Sequence, residues 1–257
     1  MSEKEVRSAV VVGGASGIGA AIARALAVDG ARVTIADRNV EHAKILAAEL
    51  GPEHGAAAVE VSDEDSVRTL FESVRASCGR LDIVVNSAGI SAAGAVTDLA
   101  AEKFRRVVDV CLTGAFLVIK HAGRLMDDGG AIISLSSLNA RQPGPGMAAY
   151  CSAKAGLVML SQVAALELAP RRIRVNTIAP GIVVTPLTGP GLQVPGLEDD
   201  YLANTPLGRA GTPEEVADAA VYMARASWLT GETLDLNGGA HLLKYPDLLG
   251  HFQRATA

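Results

Sequence analysis

Hydrophobic and polar positions along the chain alternate between two repeating patterns. Short runs rich in Val, Ile, Leu and Ala occur at 9–12, 32–36, 56–61, 81–85, 131–135, 173–178 and 233–236. Most are nearly continuous, which is how strands read when helices cover both faces of a parallel sheet. Between them, apolar residues recur at helical spacing, as at Ile18, Ala21, Ile22, Ala25 and Leu26. Further helices are expected over 40–50, from 62 to about 77, over 99–126, from 147 to about 169 and from 212 to about 225. Two starts are well marked. Ser62-Asp63-Glu64-Asp65 offers capping oxygens, and Thr212-Pro213-Glu214-Glu215 has Pro at the first helical position and Glu at the third. Strand and helix alternate without a break in composition. The pattern predicts one α/β domain over 1–257, a doubly wound sheet of about seven parallel strands with helices on both faces. Residues 186–206 carry several Gly and Pro and few regular signals, and are expected to form a substrate loop.

Composition narrows the function classes. The 257 residues are 49% hydrophobic and 20% charged, so a large core can form. The net charge of −5 and the lack of a basic cluster argue against a nucleic-acid partner. Cys78, Cys111 and Cys151 have no metal-ligand or disulfide spacing, and His121, His241 and His251 none either, so no metal is expected. The polar start and the lack of an apolar run approaching ~18 residues predict no signal peptide and no membrane span, hence a cytoplasmic protein.

Three places carry chemistry. The first strand ends in Gly13-Gly14-Ala15-Ser16-Gly17-Ile18-Gly19 and opens a helix. Glycines there let the backbone turn tightly and approach a pyrophosphate, which the helix N-terminus attracts. Asp37 closes the second strand about twenty residues on, where a carboxylate accepts from ribose hydroxyls and repels a 2′-phosphate. NAD is therefore expected over NADP. Tyr150 and Lys154 stand four apart, one turn of a helix, so ammonium and phenol share a face. A free phenol titrates near 10. Lowering it by ~2–3 units takes roughly 3–4 kcal/mol, within reach of a partly desolvated cation and a second charge. Ser137 can donate to an oxygen held beside Tyr150.

With GGASGIG (13–19), NSAG (86–89), SS (136–137), YCSAK (150–154), NTIAPG (176–181) and TGETLDLNGG (230–239), the sequence resembles the short-chain dehydrogenase/reductase family, in its short single-domain branch, over 9–239. The resemblance implies that Gly13, Ser16, Gly17, Ile18 and Gly19 form the dinucleotide loop and that Asp37 selects NAD. It places Glu60 and Val61 against the adenine, and Asn86, Ala88 and Gly89 in the second cofactor motif. Pro180, Gly181, Ile182 and Thr185 fall where the family binds the nicotinamide. Ser137 and Tyr150 keep the family's thirteen-residue interval, and Lys154 holds the nicotinamide ribose and lowers the tyrosine pKa. Cys111 stands where the family commonly has a fourth catalytic residue, an asparagine, which implies a slowed or rerouted proton relay.

The expected reaction is hydride transfer between a secondary alcohol, or its ketone, and NAD, with Tyr150 as acid and base. The Leu-, Pro- and Gly-rich loop points to a mostly apolar cyclic or steroid-like alcohol. A 3-oxoacyl thioester is the alternative substrate, and a catalytically silent nucleotide-binding regulator the alternative of another class. A homo-oligomer, tetramer or dimer, is expected through the Ala-rich outer sides of the 99–126 and 149–169 helices. Trp228 is expected in the core, and Cys151 as a small packed helix residue. Arg141 and Gln142 are expected either to reach substrate or to solvate a loop. The apolar tail, 240–257, is expected to close over the pocket or pack on a neighbouring subunit.

Overall fold

A computed structural model of the chain describes residues 6–256. Seven parallel strands, β1 (Ser8–Val12), β2 (Arg32–Asp37), β3 (Gly55–Ala58), β4 (Ile83–Asn86), β5 (Ala131–Leu135), β6 (Arg174–Pro180) and β7 (Thr233–Leu236), form one sheet in the order β3-β2-β1-β4-β5-β6-β7. The order reverses between β1 and β4, which opens a crevice at the carboxyl ends of those two strands.

Strand alternation divides the core. Ala9, Val11, Ile83, Val85, Ile133 and Leu135 face one layer, where they meet Ile22 and Leu26 of α1 (Gly17–Val28), Leu46 of α2 (Val40–Leu50), and Val216 and Met223 of α9 (Pro213–Arg225). Val10, Val12, Val84 and Ile132 face the other, against Phe71 of α3 (Glu64–Cys78), Val118 of α5 (Gly114–Leu125) and Ala165 of α6 (Ala148–Leu168). Each buried aliphatic side chain contributes about 1.5–3 kcal/mol, and both faces of every central strand contribute.

The elements follow the hydrophobic pattern closely, with four informative departures. The third strand stops at Ala58, because its one neighbour, β2, ends at Asp37; Val59 and Val61 turn inward as buried loop residues. The 99–126 region is α4 (Ala101–Val108), a π-turn (Asp109–Thr113) and α5, so Cys111 lies in a widened turn. The 186–206 loop carries two short helices, α7 (Gly189–Leu192) and α8 (Leu197–Ala203). Trp228 is fully exposed, not core: in the α9–β7 connection its neighbour Leu229 takes the inward position and leaves the indole outside. The start of α9 is as read, with Thr212 and Glu215 in a reciprocal capping box and Arg209 paired to Glu215.

By length and composition alone, one helical segment among the described residues, Ala148–Arg171, could cross a membrane. It includes α6, which packs on β6 and carries Tyr150 and Lys154.

Candidate active site

The carboxyl edge of the sheet carries three adjoining cavities. The first, about 230 Å³, lies over the β1–α1 turn and is lined by Gly13, Ser16, Gly17, Ile18, Asp37, Glu60, Val61, Ala88, Gly89 and Thr185, among others. The turn is shaped by close approach. Gly13 has a left-handed φ of 71°, and a Cβ there would come within 2.7 Å of Ala88 N. A Cβ on Gly19 would stand 2.1 Å from the Gly13 carbonyl oxygen. The Asp37 carboxylate accepts from the backbone N–H of Ala15 at 3.1 Å and of Asn39 at 2.9 Å, which fixes it at the end of β2. Glu60 is bonded to the Ser62 hydroxyl at 2.7 Å, and this bond helps hold its carboxyl below the usual range. Gly19 and Asn86 do not line the cavity. Gly19 packs beneath the turn, and the buried Asn86 amide oxygen accepts from Ala88 N–H at 3.3 Å.

The second cavity, about 100 Å³, joins the first at Ile18, Gly89 and Thr185 and contains Ser137, Tyr150, Lys154, Pro180 and Gly181. Strand β5 delivers Ser137, β6 delivers Pro180 and Gly181, and α6 delivers Tyr150 and Lys154 one turn apart. Lys154 is buried; its Nζ donates to the Leu135 carbonyl at 2.6 Å and lies 5.5 Å from the Tyr150 ring centroid. Burial pushes the Tyr150 phenol well up and pulls the Lys154 ammonium down. A hydrogen bond from Ser137 draws the phenol back in part. Burial thus opposes ionisation of the phenol, while the neighbouring ammonium donates to the Leu135 carbonyl. Cys111 Sγ accepts from Ile90 N–H at 3.4 Å and donates to Ile90 C=O at 3.2 Å. The thiol thus ties the π-turn to the chain that leaves β4.

The third cavity, about 280 Å³, opens from Ser137, Tyr150, Pro180 and Gly181. Its walls are mostly apolar: Leu138, Met147, Leu187, Leu192, Leu197, Leu248 and Phe252, with Asn139, Tyr201, Asn204 and Tyr245 among the polar groups. The loop helices and α10 (Leu248–Thr256) form its outer side, so the tail closes over the pocket of its own chain. Arg141 turns away and pairs with Asp235 on β7. Gln142 faces the cavity and donates to the Leu243 carbonyl at 2.5 Å. Cys151 packs, partly buried, against this lining.

Among the described residues no cluster of His, Cys, Asp or Glu could hold a metal. His121 bonds Glu64, His241 bonds Asn237 and His251 bonds Asp200.

A family model described as enoyl-(acyl carrier protein) reductase matches residues 13–241. The chain belongs to the short-chain dehydrogenase/reductase family. It is an oxidoreductase similar to the D-threitol dehydrogenase of Mycolicibacterium smegmatis, at 40% identity over 90% of this chain and 91% of that protein. The 3-oxoacyl-[acyl-carrier-protein] reductase of Chlamydia muridarum is 37% identical over 91% of this chain and 96% of its own length. A solved short-chain dehydrogenase/reductase from Mycobacterium ulcerans superposes with a TM-score of 0.91 at 34% identity, covering 99% of this chain and 96% of that one.

Sequence reasoning missed Arg106 and Val110 in the first cavity and Asn139 in the third, while Tyr201 and Asn204 of the third belong to the expected 186–206 substrate loop. Arg106 was visible as a cation, and its field helps hold Glu60 down; nothing in its local pattern points it at a ligand.

Proposed function

We propose that the enzyme is an NAD-dependent oxidoreductase that interconverts a mostly apolar, cyclic or steroid-like secondary alcohol and its ketone. The observation that carries the reading is the continuity of the three cavities. A dinucleotide cradle leads to Ser137, Tyr150 and Lys154, and these open onto an apolar chamber. A silent nucleotide sensor has no need of that last chamber.

The residues fit a nicotinamide dinucleotide. Added Cβ atoms would crowd the turn at Gly13 and Gly17, Gly17 and Ile18 at the start of α1 line the cavity, and the Asp37 carboxylate that also lines it would accept from ribose hydroxyls. When bound, the cofactor supplies the hydride or accepts it. The chain's own part is protonic. Burial keeps Tyr150 in its acid form, suited to protonating a ketone oxygen as charge develops there. Ser137 donates to the same oxygen. In alcohol oxidation the phenolate takes the hydroxyl proton, and the Lys154 ammonium, 5.5 Å from the ring centroid, favours the charged form. Leu138, Met147 and Leu192 exclude water from the substrate body.

A panel of cyclic secondary alcohols, short polyols and 3-oxoacyl thioesters, assayed with NAD⁺/NADH and NADP⁺/NADPH by nicotinamide absorbance, tests substrate and cofactor together. Cyclic alcohols with NAD⁺ are expected to lead. Because the Asp37 carboxylate lines the dinucleotide cavity, NAD⁺ is expected to exceed NADP⁺ in kcat/KM by about tenfold or more, a difference of about 1.4 kcal/mol. Asp37→Ser should narrow that ratio, since Arg38 lines the same cavity. A wild-type preference for NADP⁺ overturns the assignment. A second reading, 3-oxoacyl thioester reduction, is favoured by the relatives of that name and would appear as thioester preference in the same panel.

Self-association into a dimer or tetramer is also proposed, through the outer sides of α4, α5 and α6. Phe104, Phe116, Met159 and Leu166 lie exposed there.

A further inference from the structure

The turn that follows Ser137 is hydrogen-bonded to the tail. Asn139, buried in the single turn Leu138–Ala140, donates its backbone N–H to Ser137 Oγ at 3.1 Å and its Nδ2 to the Gln142 carbonyl at 3.2 Å. Its Oδ1 accepts from the Tyr245 hydroxyl at 3.1 Å and stands 3.5 Å from Ser137 Oγ. Tyr201 reaches the Tyr245 hydroxyl at 3.0 Å, with the two rings edge to face.

The directions follow from proton counting. Asn139 Nδ2 faces a carbonyl, so the amide cannot be reversed, and Oδ1 can only accept. Tyr245 therefore gives its one proton to Asn139, and Tyr201 must donate to Tyr245. Ser137 Oγ accepts from Asn139 N–H, and its own proton can go to the Tyr150 side, either to the phenol oxygen or to a reacting oxygen held beside it. The competing acceptor is Asn139 Oδ1, at a distance where a hydrogen bond is weak and which already receives the Tyr245 proton.

We propose that Tyr245 and Asn139 are positioning residues: by donating to Asn139 Oδ1, the tail phenol weakens that oxygen as a competitor and leaves the Ser137 proton to the reacting oxygen. This rests on the reading of Ser137 as the donor to that oxygen. The arrangement is built into the local fold. A Cβ on Gly144 would lie 2.5 Å from the Tyr245 ring, and Gln142 holds the Leu243 carbonyl, so the segment after Ser137 seats the phenol at two further points. Without the Tyr245 hydroxyl, Asn139 Oδ1 is a free acceptor beside Ser137 and captures its proton.

Tyr245→Phe keeps the ring and its packing. The expected result is a fall in kcat of about tenfold with KM nearly unchanged and a circular dichroism spectrum like that of the wild type. Two further backgrounds separate positioning from packing. In Ser137→Ala the same substitution should have no further effect. Adding Asn139→Ala to Tyr245→Phe should restore kcat to within about threefold of wild type, because the amide oxygen that competes for the Ser137 proton is then gone. An equal loss in all backgrounds, or no loss in the Tyr245→Phe single variant while Ser137→Ala is impaired, overturns the proposal alone. Full turnover in Ser137→Ala overturns the reading of Ser137 and the proposal with it.

Discussion

Tyr150→Phe should lower turnover by at least about 10³-fold, near the upper range for loss of a general acid–base group, while dinucleotide binding changes by less than about threefold. The phenol is the polar group that both the Ser137 hydroxyl and the inner chamber converge on, and the ring is retained in the variant. The wild-type pH profile should follow from the direction of the shift. Burial raises the phenol, so the acid form dominates at neutral pH and ketone reduction runs on a plateau there, falling only as the phenol ionises. Alcohol oxidation needs the phenolate. Its kcat/KM should rise about tenfold per pH unit below the working pKa. Stopped-flow or steady-state rates in both directions, with dinucleotide binding read by fluorescence titration, check both statements. A Tyr150→Phe enzyme with most of its turnover would remove the residue from the mechanism.

Gly19→Ala should damage stability and dinucleotide binding together. The methyl group would meet the carbonyl oxygen of Gly13 at 2.1 Å, its carbon at 2.9 Å and Gly14 Cα at 3.1 Å. All three are backbone atoms, so no side chain can swing aside, and α1 must shift from the strand end or the turn must open. Overpacking of this kind costs about 1–3 kcal/mol or more. For a domain of this size, that is a fall of roughly 2–12 °C in Tm. The turn that must move is the cradle itself, so affinity for NADH should drop as well. Gly189→Ala provides the control: nothing lies within 4 Å of a Cβ there and φ is not positive, so Tm should stay within about 2 °C. Calorimetry and NADH titration on the two variants decide the matter. Equal affinity and Tm for Gly19→Ala and wild type would mean that the tight turn is not what shapes the dinucleotide site.

What could be read from sequence was local. The β1 run 9–12, the glycine turn and the Thr212–Glu215 capping box each carry their signal within a few consecutive residues, and each lies where the pattern puts it. The parallel, doubly wound sheet follows from strand–helix alternation, whereas the strand order is seen only in the structure. Long-range partners were not legible. Tyr245 and Asn139 are separated by 106 positions, and no local pattern links them. The π-turn at Asp109–Thr113 has no sequence mark, because one wider turn leaves the apolar periodicity nearly intact. The loop helices were hidden by Gly and Pro in a segment whose order comes from packing on the pocket. Helical spacing shows that Lys154 lies near Tyr150, but the depth at which the phenol is buried is a property of the folded whole.

Trp228, the one tryptophan, has an optical consequence. Its indole is already fully in water in the folded chain, beyond the end of α9. Its emission should therefore shift little towards the red when the sheet unfolds, and intrinsic fluorescence will under-report loss of structure. Tryptophan emission instead becomes a reporter of the outer surface. A blue shift, or slower quenching by iodide as protein concentration rises, would mark the covering of the α9–β7 corner by another molecule, while the core stays optically silent.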